Sequence, residues 1–106
     1  MPKKKPIHRV LRIDFPDGWI HVGVRRDPTI KHYLGGLASA MRIGTTSPLI
    51  TAVRNSGGIT KVNCRFISPF VSPETGVIQA QKIWDRNTDR MVGRRPHNTA
   101  QRDRGT

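Results

Sequence analysis

Residues 8–24 run His8-Arg9-Val10-Leu11-Arg12-Ile13-Asp14-Phe15-Pro16-Asp17-Gly18-Trp19-Ile20-His21-Val22-Gly23-Val24, and this stretch decides the fold. Both halves are rich in β-branched and aromatic side chains, which suit a pleated, half-buried surface. From His8 to Phe15 the chain reads as a strand, with Leu11 and Ile13 on one face and Val10 on the other. Pro16-Asp17-Gly18 reads as a turn, because glycine accepts positive φ where other residues resist it. From Trp19 to Val24 a second strand follows. The two strands form a β-hairpin.

Working outward, Asp27-Pro28 is a helix-start signal, with Asp as N-cap and Pro at the first helical position. Ile30, Tyr33, Leu34, Leu37 and Met41 then recur at helical spacing. Gly35-Gly36 weakens this helix by about 1 kcal/mol per glycine relative to alanine and points to close packing or a bend. Ser47-Pro48 repeats the start signal before a short helix from Leu49 to Arg54, which Asn55-Ser56-Gly57-Gly58 ends. A third strand is expected from Ile59 to Ile67, with Val62, Cys64 and Phe66 on one face and Lys61, Asn63 and Arg65 on the other. Ser72-Pro73-Glu74 opens a last helix, with Val77, Ile78, Gln81 and Trp84 on one side, running to Arg86. These elements predict one α/β (α+β) domain over residues 8–86. It is a small three-stranded antiparallel sheet flanked by helices, in the order β-β-α-α-β-α. Residues 1–7 form a basic N-terminal arm. Residues 87–106 form a basic tail too poor in apolar side chains to order by itself.

The 106 residues carry 19 Lys+Arg against 7 Asp+Glu, a formal net charge of +12. Such an excess repels itself in a folded monomer and is relieved when the basic side chains displace counterions from a polyanion. Nucleic acid is therefore the expected partner, with DNA ahead of RNA and a host protein as the alternative. Cys64 is the only cysteine, so neither an intramolecular disulfide nor a cysteine-based metal cage can form. No apolar run approaches the roughly 20 residues of a membrane span. No signal-type apolar stretch follows the basic N-terminus. A cytoplasmic setting with no membrane partner is expected. His8, His21, His32 and His97 lack recognised ligand spacing, so no metal site is expected. Trp19 and Trp84 fall within regular elements, where core anchoring is their expected role rather than stacking on bases.

The order of these motifs resembles the GIY-YIG nuclease domain in its phage and homing-endonuclease version. Val10-Leu11-Arg12-Ile13 lies where that family has its first strand, and Gly18-Trp19-Ile20-His21-Val22-Gly23-Val24 resembles its YIG strand. Asp27-Pro28 and the following helix match the stretch with the catalytic Arg. Ser47-Pro48-Leu49 onward resembles the second helix, and Ser72-Pro73-Glu74 to Trp84 the helix with the metal-binding Glu. Pro96-His97-Asn98-Thr99 resembles the closing turn. The resemblance implies phosphodiester chemistry, in which a Tyr helps activate water, an Arg stabilises developing charge and a Glu holds one divalent metal.

At the matching positions that machinery is degenerate. Leu11 stands at the first Tyr position and has no hydroxyl. His21 stands at the second, where a neutral imidazole can still accept a proton. Lys31 stands near the Arg position and keeps the charge without the bidentate fork. Gln79 stands at the Glu position, and an amide is a poor ligand for hard Mg²⁺. Glu74 and Asp85 lie about 140° and more than 100° round the helix from Gln79, so neither replaces it. The resemblance thus implies a nucleic-acid-binding pseudo-nuclease of phage or mobile-element origin, with a regulatory or anti-defence role and no required cofactor. Its expected contacts are Arg25, Arg26, Lys31, Arg42, Arg54, Lys61, Arg65, Arg94 and Arg95. Three alternatives stand beside it. One is an active Mg²⁺-dependent endonuclease with a rearranged site. Another is a structural RNA-binding protein of ribosomal type. The last is an inhibitor that binds a host protein.

Overall fold

The computed structural model describes residues 5–97. Strand β1 (Arg9–Asp14) and strand β2 (Ile20–Arg25) are followed by helices α1 (Ile30–Arg42) and α2 (Pro48–Asn55). A 3-10 turn (Ile59–Lys61) leads into strand β3 (Asn63–Phe66), and helix α3 (Pro73–Arg86) and a second 3-10 turn (Thr88–Arg90) complete the order. The sheet is antiparallel with order β2-β1-β3, so β1 is central. This is the expected α+β architecture. No helix among the described residues is long and apolar enough to cross a membrane.

Strand register explains the layers. Leu11 pairs with Gly23 and Phe66, and Ile13 pairs with His21 and Cys64, so these residues share one face. That face packs against Tyr33 and Leu37 of α1 and Ile50 and Val53 of α2. Val10, Ile20 and Val22 point the other way and pack against Ala80 of α3, with Ile83 and Trp84 beside it. Fully burying each of these aliphatic side chains stabilises the fold by about 1.5–3 kcal/mol. At Gly76 α3 comes so close to β2 that an added Cβ would sit 3.0 Å from Val24 Cγ1.

Several local expectations are corrected. Thr29 rather than Asp27 caps α1, its Oγ1 accepting from the His32 amide, and Asp27 is left to bind side chains. Ser47 and Ser72 cap α2 and α3 as their sequences indicate. The third strand is shorter than expected: Gly57 and Gly58 have φ of 103° and 111° and reverse the chain into the 3-10 turn. Gly35 and Gly36 do not pack closely, since an added Cβ at either meets nothing within 4 Å, and α1 runs through them without a break. Ile78 points away from the sheet and is exposed, with Gly76, Ala80 and Ile83 taking the inner face. Trp19 is not a core anchor: at the hairpin tip it remains 44% exposed, whereas Trp84 packs on the α3 side of the core.

Two substitutions test this architecture in urea denaturation. Ile13→Ala is expected to lose about 2–5 kcal/mol, because the cavity lies between β1 and two helices. Gly35→Ala is expected to gain about 0.5–1 kcal/mol, because it removes backbone freedom at an open helical position.

Candidate nucleic-acid interface

The outer edge of β2 has no strand partner in the three-stranded sheet, yet it is not left bare. Met91 forms a parallel bridge with Ile20, and the Val92 amide donates to the Ile20 carbonyl at 2.8 Å. Met91 is buried among Val10, Val22 and Ala80. Beyond it, Gly93 adopts φ of 97° and carries the chain past the His21 ring. Gln81 of α3 donates from Nε2 to the Pro96 carbonyl at 2.8 Å. Arg95 makes two bonds to Asp85, at 3.0 and 2.9 Å. Residues 91–97, expected as part of a tail, therefore belong to the domain. Asn98, Thr99, Arg102 and Arg104, and the N-terminal arm up to Lys4, lie outside the described residues.

This docking brings two distant basic stretches together. Arg25 ends β2 and Arg26 follows it, and Arg94 and Arg95 lie on the segment that runs along that strand. Between them are two adjoining clefts that share His8 and Val24 as walls. One, about 620 Å³, is lined by Ile7, Arg25, Arg26, Asp27 and His32 as well. The other, about 510 Å³, is bounded by His21, Gly23, Pro73, Val77 and residues 94–97. Each is of a size that holds a small ligand or one unit of a polymer.

The charges of this groove are only partly compensated. Asp27 accepts from Arg25 Nε at 2.8 Å and from His32 Nδ1 at 2.9 Å. Arg25 also lies over the Tyr33 ring, 5.1 Å from its centroid. Arg95 is held by Asp85. Arg26 and Arg94 have no ion-pair partner among the described residues. At the junction of the clefts, His8 Nδ1 is buried without a hydrogen-bond partner among the described residues. Such an atom costs about 1–3 kcal/mol of stability.

Titration follows from the same geometry. Burial lowers the His21 pKa, more than its bond to the Val92 carbonyl and the Arg25 charge alter it. A carbonyl only accepts, so Nδ1 carries the proton of the neutral ring and Nε2 is left as an acceptor. Burial alone would raise Asp27, but the bonds from Arg25 and His32 hold its carboxyl below the ordinary range. Burial and the nearby Asp27 push the Cys64 thiol up to about 11, which keeps it protonated and unreactive.

The remaining expected contacts are scattered. Lys31 is exposed on the first turn of α1, beside Arg25 and His32. Arg42 and Arg54 occupy the last turns of α1 and α2, where a cation complements the helix C-terminus. Lys61 lies against Gly57 in the first 3-10 turn. Arg65 shares Asp14 with Arg12 on the sheet. The four positions matching a nuclease site do not meet. Leu11 has no exposed surface and lies under α1 and α2, whereas Gln79 is on α3, which covers the opposite face. Gln79 is turned about 200° round α3 from Gln81, the side chain that reaches residues 91–97. A divalent cation does not fit these residues: Gln79 offers an amide, and Arg95 already occupies the Asp85 carboxylate.

Sequence reasoning missed His8 and the Asp27–His32 pair as groove residues, and missed the docking of the 91–97 segment. One signal for the docking was present. Met91-Val92 is the only adjacent apolar pair beyond Trp84. No protein family, curated protein or solved structure matches the chain.

A pH dependence of stability follows from His21. Its folded pKa lies below the unfolded value of about 6.5, so the unfolded chain binds the proton more tightly. Stability is complete above about pH 6.5 and falls as pH drops through the lowered folded value. The Asp27 contribution is lost only in stronger acid, below about pH 4. His21→Asn places an amide donor at the position of Nδ1, toward the Val92 carbonyl, and does not titrate. Urea denaturation at a series of pH values is expected to show a shallower decline for this variant between neutral and mildly acidic pH.

Proposed function

We propose that the chain is a cytoplasmic nucleic-acid-binding protein that grips a phosphate backbone without cutting it. It is a degenerate relative of the GIY-YIG nuclease domain, with a regulatory or anti-defence role in a phage or mobile element. DNA is the first polymer to test. One observation carries this reading: Arg25 and Arg26 line one cleft and Arg94 and Arg95 the cleft that adjoins it, with Arg26 and Arg94 free of carboxylates among the described residues. Guanidinium groups in such a groove match phosphate geometry and position a backbone without reading its sequence. The amide of Gln79, at the position where the resemblance implies a metal-binding carboxylate, supports the non-cutting half of the reading, whereas the separation of Leu11 from Gln79 counts against the residue-by-residue match to a nuclease site.

Salt dependence is the direct test. Log affinity for DNA is expected to fall linearly with log salt, with a slope of about 0.9 per phosphate neutralised on a duplex and about 0.7 on a single strand. Arg26→Ala and Arg94→Ala are each expected to reduce that slope by about 1, while Arg42→Ala leaves it unchanged. A slope near zero for the native chain would sink the proposal.

The non-cutting half is tested separately, with supercoiled plasmid in Mg²⁺ or Mn²⁺. The plasmid is expected to stay intact. Cleavage that disappears in His21→Ala would establish the active-nuclease alternative instead.

A further inference from the structure

Phe70 differs from the other phenylalanines of the chain. Phe15 is in the core, and Phe66 packs against the core from β3. Phe70 belongs to neither buried cluster and is 54% exposed. A single exposed apolar side chain is ordinary by itself. Three further features set this one apart.

First, its backbone is held firmly. The Val10 amide donates to Ser68 Oγ at 2.8 Å, and the Ser68 hydroxyl donates to the Pro69 carbonyl at 2.9 Å. On the other side, Val71 and His8 exchange both backbone hydrogen bonds, at 2.7 and 3.3 Å. The ring is presented from a loop tied to the central strand on both sides of it.

Second, the ring rests on a fixed cation. The Arg9 guanidinium lies 3.6 Å from the Phe66 centroid and 4.5 Å from the Phe70 centroid. Its Nη2 donates to the carbonyls of Asp27 and Pro28, at 3.2 and 2.7 Å. Arg9 thus props Phe70 from beneath.

Third, the ring is linked to the basic clefts through Arg9 and through the neighbouring Val71, although it lines neither of them. Arg9 is anchored to the loop that contains Asp27, and Asp27 lines the cleft with Arg25 and Arg26. His8, bonded to Val71, is the wall shared by both clefts.

A rigid aromatic beside a cationic track is the arrangement that holds single strands, because every unpaired base offers a π-face while bases in a duplex already stack on one another. We propose that Phe70, propped on Arg9, is a base-stacking platform and that the polymer held in this groove is single-stranded. The proposal rests on the phosphate-gripping reading above and adds the class of strand.

The test compares the full chain with Phe70→Ala and Phe70→Trp, by fluorescence anisotropy. The probes are a labelled oligothymidylate, an abasic oligonucleotide of equal length and a duplex of equal length. The native chain is expected to bind the oligothymidylate more tightly than either other probe. Phe70→Ala is expected to lose roughly tenfold or more of that affinity, with its salt slope intact, and Phe70→Trp to retain it. Far-ultraviolet circular dichroism checks that both variants keep the native fold. Equal binding of the abasic strand, preference for the duplex, or a Phe70→Ala variant as tight as native would overturn the stacking proposal alone. Those results leave a salt-dependent phosphate grip standing. Failure of all three probes to bind would overturn both.

Discussion

Val10, Leu11 and Ile13 have no exposed surface, although successive residues of a strand point to opposite faces. Strand β1 must therefore be covered on both sides, and the other elements are arranged to do it. Helices α1 and α2 cover Leu11 and Ile13, α3 covers Val10, and β2 and β3 pair with the two edges. The short polar caps at Thr29, Ser47 and Ser72 set where each covering helix begins. No other strand among the described residues buries both faces: β2 buries only Ile20 and Val22, which share the α3 side, and no residue of β3 is buried.

The same scarcity of strands shapes the candidate interface. An open β2 edge would expose unpaired backbone groups. Met91 and Val92 cover part of it, and burial of the Met91 side chain helps hold them there. Arg94 and Arg95 follow within three or four residues and line the cleft that adjoins the one holding Arg25 and Arg26. The interface is thus a by-product of edge protection. It gathers charge from sequence positions about seventy apart, as the 71-residue separation of the His21–Val92 bond shows.

Net charge alone overstates what is free to bind a partner. Arg12 and Arg65 share Asp14, Arg25 holds Asp27, and Arg95 holds Asp85. Arg9 is taken up between aromatic rings and loop carbonyls. These bonds orient side chains at modest gain, since exposed ion pairs contribute only about 0–1 kcal/mol. Some cations are structural, whereas Arg26 and Arg94 have no ion-pair partner among the described residues. The division depends on which carboxylates lie within reach, and composition does not reveal it.

Much of the fold is legible in the order of residues because local physics writes it there. The hairpin follows from Pro16-Asp17-Gly18 between two β-rich runs, and α2 and α3 follow from Ser-Pro starts. The sheet class follows from these, and so does the expectation of a polyanion partner from the charge. Other features turned on which groups met in the folded chain. Asp27 was free to bind Arg25 and His32 only because Thr29 took the cap. Leu11 and Gln79, matched to one site by resemblance, were separated by the sheet itself. Residues 91–97 were joined to the domain by a backbone pairing that carries no side-chain signature beyond Met91-Val92. Local propensity and pattern determined the elements and the sign of the charge. Only tertiary packing decided which cations share a groove, because the pairing that gathers them is a backbone contact across most of the chain.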